Sequence, residues 1–149
     1  MAHTAGSSAL PIATLSLVLE LLTAVGLTQP QQAQLLGLER HTLRRALQAP
    51  LPLNLSPEQL TRLRLSVEIA TALRTLYADH SAGGWFGRPN GRAPFEGQTP
   101  LAYVLDGGTP ALLDTHRLLL SDLTGQFSAS AEARALAASL PQPEIDLDE

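Results

Sequence analysis

At Thr28, Ser56, Thr99 and Thr109 a hydroxyl residue stands within two residues of a proline, and an apolar-periodic run follows each time. A Ser or Thr oxygen accepts an N–H that the first turn of a helix leaves unpaired, and proline at that point has no N–H to lose. Gln31 stands three residues after Thr28, and Gln59 three after Ser56, so both sites have a capping-box pattern. This punctuation divides the chain into helices with short connections. Hydrophobic residues make up 44% of the chain but aromatics only 4%, so the core must be built from Leu, Ala, Val and Ile. Leu and Ala favour helix over strand. No convincing run alternates as a strand would, and the expected fold class is all-α.

The elements follow from the same signals. Residues 1–9 are small and polar and read as a frayed, flexible N-terminus. A first helix is expected over 11–25, with Gly26 as its left-handed cap. Ser16, Glu20 and Thr23 form one narrow polar stripe on it, and aliphatic residues fill the rest. Such a helix is either central or part of a subunit interface. Helices over 29–36 and 40–48 follow, joined at Gly37-Leu38, and Pro50 and Pro52 end the second of them. From Pro57 a long helix should reach Ala78, with Leu60, Leu63, Val67, Ala70, Leu73 and Tyr77 on one face. After a loop, helices are expected over 100–105 and 110–123, the latter closed by Gly125. A last Ala-rich helix over 130–140 leads to an acidic tail, 141–149, with the composition of a disordered segment.

The formal net charge of −4 does not suit a general nucleic-acid binder, but the distribution is uneven. Residues 1–80 carry six Arg against five acids, and residues 81–149 carry four Arg against nine. The front half can meet DNA locally, while the back half repels it. There is no Lys, which reads as genome composition, and no Cys, which excludes disulfides and thiolate metal sites. The apolar stretch from Leu10 to Val25 is too short to span a membrane, contains Glu20, and is not preceded by Lys or Arg as a signal peptide would be. A cytoplasmic location is expected.

Residues 27–47 carry the first functional pattern. Ala33 is a small residue within the first of its two helices, Gly37 lies at the turn, and Leu43 and Leu47 are apolar residues one turn apart in the second. On a wheel at about 100° per residue, Leu43, Ala46 and Leu47 cluster on one side. His41, Arg44, Arg45 and Gln48 cluster on the other, with Arg40 at the edge. Such a helix can lie in the major groove, where Arg pairs with guanine edges or phosphate. Gln29, Arg40, His41, Arg44, Arg45 and Gln48 are therefore candidate DNA contacts. The plain structural alternative is a solvated charged face on a structural helix pair. The segment resembles the helix-turn-helix of Xre/Cro-type repressors, with Glu39 as a departure where Ser or Thr is usual.

The second pattern is the loop from Trp85 to Pro100, which holds the only Trp and two of the three Phe among turn residues. Aromatics in such a place either staple a long loop to the core or touch a partner. Trp85, Pro89-Asn90, Phe95, Gly97 and Thr99-Pro100, then Leu101 to Leu105, Gly107-Gly108 and Leu112 to Leu123, resemble the toxin-binding domain of the Xre/MbcA/ParS antitoxin family. The resemblance spans residues 57–127. Gly87-Arg88, Gly91-Arg92 and the segment past Phe127 depart from it.

The resemblance implies a helix-turn-helix domain over 10–55, a small helical toxin-binding domain over 56–127, and a C-terminal helix with acidic tail over 128–149. It implies an antitoxin of a type II system whose partner is a RES-type, NAD-depleting toxin, and which binds operator DNA to repress its own operon. NAD would be the toxin's substrate, so no cofactor is expected here. Trp85, Arg88, Asn90, Arg92 and Phe95 are the candidate toxin contacts. Arg88 and Arg92 lie beside Gly and Pro-Asn turns, so both are expected to project into solvent, where charge reversal would spare the fold. The apolar first helix and the two-fold habit of such DNA binders favour a homodimer. The alternative is a stand-alone helix-turn-helix regulator whose back half only dimerises.

The chain reads as a non-enzyme. His3, His41, His80 and His116 are scattered and form no metal-ligand spacing. Asp114, His116 and Ser121 are close in sequence but belong to an amphipathic helix, where positions two apart do not face each other. The carboxylates from Glu144 to Glu149 lie in the tail and are not preorganised for acid–base work.

Overall fold

The computed structural model describes residues 8–48, 52–77 and 80–139. Among these, five helices and one two-stranded sheet are present: β1 (Ser8–Leu10), α1 (Ile12–Ala24), α2 (Gln29–Leu36), α3 (Arg40–Gln48), β2 (Leu53–Leu55), α4 (Pro57–Leu76), a 3₁₀ turn (His80–Gly84) and α5 (Pro100–Ser139). The expected frayed residues 1–7 and the tail lie outside the described residues.

The capping chemistry forms as the sequence dictates. Thr28 Oγ1 accepts from Gln31 N while Gln31 Oε1 accepts from Thr28 N, and Ser56 and Gln59 exchange the same pair. Thr99 Oγ1 accepts from Ala102 N at 3.1 Å to open α5. Gly26 and Gly37 take the left-handed conformation after α1 and α2, with φ 96° and 75°.

Two elements differ from expectation. The chain before α1 is not frayed throughout, since Ser8–Leu10 pairs antiparallel with Leu53–Leu55, Ser8 opposite Leu55. Strands of three residues are too short to show an alternating pattern. Gly125 does not close a helix; α5 runs through it to Ser139. The Ala-rich stretch beyond it favours helix enough to offset about 1 kcal/mol for one Gly. The break expected between residues 105 and 110 is present in α5, at Gly108 (φ 67°, ψ −144°), and Thr109-Pro110 restart the helix there.

One hydrophobic cluster runs through the front and back of the molecule. Leu15, Val18, Leu19 and Leu22 of α1, Leu35 and Leu36 of α2, and Leu43 of α3 are buried in it. So are Ile69, Ala70 and Leu73 of α4, and Leu112 and Leu119 of α5. Helix α1 is central on this face, but Leu17 on its other side is 65% exposed. Among the described residues no single helix is long and apolar enough to cross a membrane.

Candidate DNA-reading helix and partner loop

Helix α3 is positioned by its apolar side. Leu43 and Ala46 are buried and Leu47 packs against the core. The turn before α3 is fixed by Gly37, whose N–H bonds Gln34 O, and by Leu38, whose N–H bonds Ala33 O. This leaves Arg40, His41, Arg44, Arg45 and Gln48 on the outer face, all exposed. A shallow groove of about 630 Å³ lies between α2 and α3 and is lined by Pro30, Gln34, Leu38, Glu39, Arg40, His41 and Arg44. His41 Nε2 lies 3.2 Å from Glu39 Oε1. Arg45 and Gln48 are outside this groove. Gln29 is exposed at the start of α2 but lines a different groove of about 490 Å³, with Ser16, Glu20, Thr23 and Gln32 among its neighbours. Gln34 and Glu39 are the polar groove residues that a wheel of α3 alone misses. Facing wheels of α2 and α3, joined across the Gly37 turn, bring both into view.

The loop between the 3₁₀ turn and α5 is built around aromatics. Trp85 meets Phe86 and Phe95 edge to face, with centroids 5.3 and 5.6 Å apart, and Phe95 meets Tyr103 in the same way at 5.4 Å. Trp85 is 6% and Phe95 1% exposed. This corrects the expectation that they are exposed contacts: edge-to-face packing on one another and on Tyr103 removes both from the surface.

Asn90 organises the polar part of the loop. Its N–H bonds Gln98 O, its carbonyl accepts from Gly97 N at 2.7 Å, and its Oδ1 accepts from Arg92 N at 3.0 Å. The last of these is an Asx turn.

Arg88 is exposed, with its guanidinium lying over Gly84. Arg92 departs from expectation. Its guanidinium donates two 2.8 Å bonds to the carboxylate of Asp122, which ties the loop to α5. The hydrogen bond to Asp122 is the main reason its proton is held more tightly than in an ordinary guanidinium. Reversing its charge would set two anions face to face and would not spare the loop.

The residues that invite a triad reading have other partners. Asp114 Oδ2 accepts from Tyr103 Oη at 2.8 Å, His116 Nε2 lies 3.0 Å from Glu68 Oε1, and Ser121 is exposed. The bond to Asp114 is the largest cause of a Tyr103 pKa above the usual phenol range. Among the described residues no group of His, Asp or Glu is arranged to hold a metal ion.

Comparison with curated proteins and with solved structures finds no match. Residues 1–67 match the family model described as the antitoxin Xre-like helix-turn-helix domain. That match covers β1 to α3, β2 and the first half of α4. Its family is one of DNA-binding regulators and not of enzymes. Over residues 1–67, then, the chain is similar to the antitoxin Xre-like helix-turn-helix domain.

Proposed function

We propose that the chain is the antitoxin of a type II toxin–antitoxin pair. Helix α3 binds operator DNA and represses the chain's own operon, and the back half binds and neutralises a RES-type toxin that depletes NAD. The observation that carries the reading is the antitoxin-type front domain with an exposed Arg-rich face on α3, followed in the same chain by a loop pinned in one shape. The net negative back half faces a protein partner better than it faces DNA. Arg88 and the loop that Asn90 and Arg92 hold in shape face the toxin; Trp85 and Phe95 shape the surface from beneath. Two copies bind a two-fold operator in the cytoplasm, each α3 in a successive major groove.

Co-expression with the adjacent open reading frame tests this. The neighbour alone should arrest growth and lower NAD, and the chain should restore both and co-purify with it. Arg88→Glu should weaken rescue while operator binding persists, because reversed charge at an interface costs more than truncation. A neighbour that is harmless alone, or that never co-purifies with the chain, would remove the antitoxin reading in favour of a stand-alone regulator. For the front half, Arg44→Ala with Arg45→Ala should weaken operator binding. It should also flatten the salt dependence, by about one log–log unit for each phosphate no longer neutralised.

A further inference from the structure

Among the described residues Glu39 is the one carboxylate lining the α2–α3 groove, where the other charged or titratable groups are Arg40, His41 and Arg44. It stands immediately before α3, and its carbonyl accepts from Leu43 N at 3.1 Å, so its backbone starts the helix. A Ser or Thr at this point would turn its oxygen back onto the helix N–H groups. Glu39 holds its carboxylate outward instead, 75% exposed, with Oε1 against His41 Nε2. The exposed carboxylate thus borders the groove, with His41 beside it.

When a helix of this motif enters the major groove, its first residues meet base edges. An ionised carboxylate only accepts hydrogen bonds. It is repelled by phosphate, and it cannot pair with the N7 and O6 acceptors of guanine. Adenine offers an amino donor, but with the N7 acceptor beside it. Cytosine offers the N4 amino group with no acceptor of its own on that edge.

We propose that Glu39 is a specificity-determining residue that accepts a hydrogen bond from the N4 amino group of a cytosine in each operator half-site. This rests on the reading of α3 as a major-groove helix. Arg40 and Arg44 beside it supply attraction to phosphate or guanine, and Glu39 supplies discrimination. A base without a free amino donor leaves the carboxylate desolvated and unpaired, which disfavours it by roughly 5- to 150-fold.

The test uses the full chain and a pool of duplexes randomised over the operator length, with bound duplexes sequenced after selection. Wild type should enrich cytosine at one fixed position of each half-site. Glu39→Ala should lose that preference at that position and keep the others. Glu39→Gln, with a donor and an acceptor, should move it toward adenine. Arg44→Ala should weaken binding yet keep the cytosine. If Glu39→Ala enriches the same sequence as wild type, or binds every duplex more tightly by one common factor, Glu39 is a repulsive group only and the proposal is overturned. If wild type enriches no sequence at all, the groove-helix reading fails first and the proposal falls with it. Melting of each variant confirms that the exposed substitution leaves the fold in place.

Discussion

Replacing Phe95 by Ala separates a structural loop aromatic from an interface aromatic. Phe95 is 1% exposed and sits between Trp85 and Tyr103, edge to face with both. Truncating a buried Phe to Ala costs about 3–5 kcal/mol, counting the forfeited transfer energy and the cavity left behind. Two edge-to-face pairs go with it, each worth about 0.5–1.5 kcal/mol beyond area. The loop backbone partly collapses into the space, so about 4 kcal/mol is expected in total. For a chain of this size each kcal/mol lowers the Tm by roughly 2–4 °C, giving a drop of about 8–16 °C. With a urea slope of about 2 kcal/mol/M the midpoint should fall by about 2 M. Phe95→Leu keeps much of the volume and should cost less than half as much. The assay is thermal and urea unfolding of the isolated protein, followed by co-purification with the toxin below the variant's Tm. Trp85 fluorescence should redden in Phe95→Ala as its ring loses a neighbour. A Tm within about 3 °C of wild type, together with loss of toxin binding, would refute the reasoning, because Phe95 would then be a contact and not part of the core.

Other perturbations follow from single contacts. A Cβ at Gly26 would run into the Gly83 carbonyl, and φ there is +96°, so Gly26→Ala should destabilise by at least about 2 kcal/mol in urea unfolding, far more than a Gly→Ala change in open space. Asp122→Ala removes the partner of Arg92 in a pair whose side chains are 52% and 23% exposed; a double-mutant cycle should return about 1 kcal/mol or less, with faster proteolysis in the loop as the larger signal. The Tyr103 hydroxyl donates to Asp114, which raises its pKa, so the folded state holds that proton more tightly than the unfolded one. The resulting stability is present in full below the ordinary phenol pKa and is lost as pH rises through the raised value. Tyr103→Phe should therefore make stability less sensitive to pH on the alkaline side, as read by urea unfolding across that range.

What the sequence discloses here is local. Thr28 with Gln31 and Ser56 with Gln59 need only residues three apart, so both capping boxes are legible in the order of residues alone. The outward face of α3 is legible because one helical period fixes it once Leu43 and Ala46 point inward. Contacts between distant residues are not legible in this way. Arg92 beside Gly91 looks like a solvent-facing loop cation until the fold brings Asp122, thirty positions away, to its guanidinium. Trp85 and Phe95 are aromatics among turn residues whether they fold inward or outward, and the packing of Trp85 on Phe86 and Phe95, and of Phe95 on Tyr103 of α5, decides the matter. β1 and β2 pair across the whole helix-turn-helix, and neither strand is long enough to have a period.

The proposed division into a DNA-reading front and a partner-binding back is one of surfaces more than of packing, since a single hydrophobic cluster runs through both. The first two turns of α4 hold both. Gln59 Nε2 donates to Gly37 O at 3.0 Å, which caps the turn between α2 and α3 from the outside. One turn along, Arg62 lies against Gly37, reaches toward Leu35 O and bonds Glu58, and its guanidinium occupies the space where a side chain at Gly108 would stand. Glu58 Oε2 in turn accepts from Thr109 Oγ1 at 2.9 Å, where α5 restarts. The Glu58–Arg62 pair is partly solvated and adds little energy by itself. Its consequence is geometric, because the same side chains touch both the turn between α2 and α3 and the break in α5. The family match ends at residue 67, within this helix and just beyond these contacts. A partner seated on the loop after Trp85 would thus be carried on the same helix, α4, that holds the turn before α3.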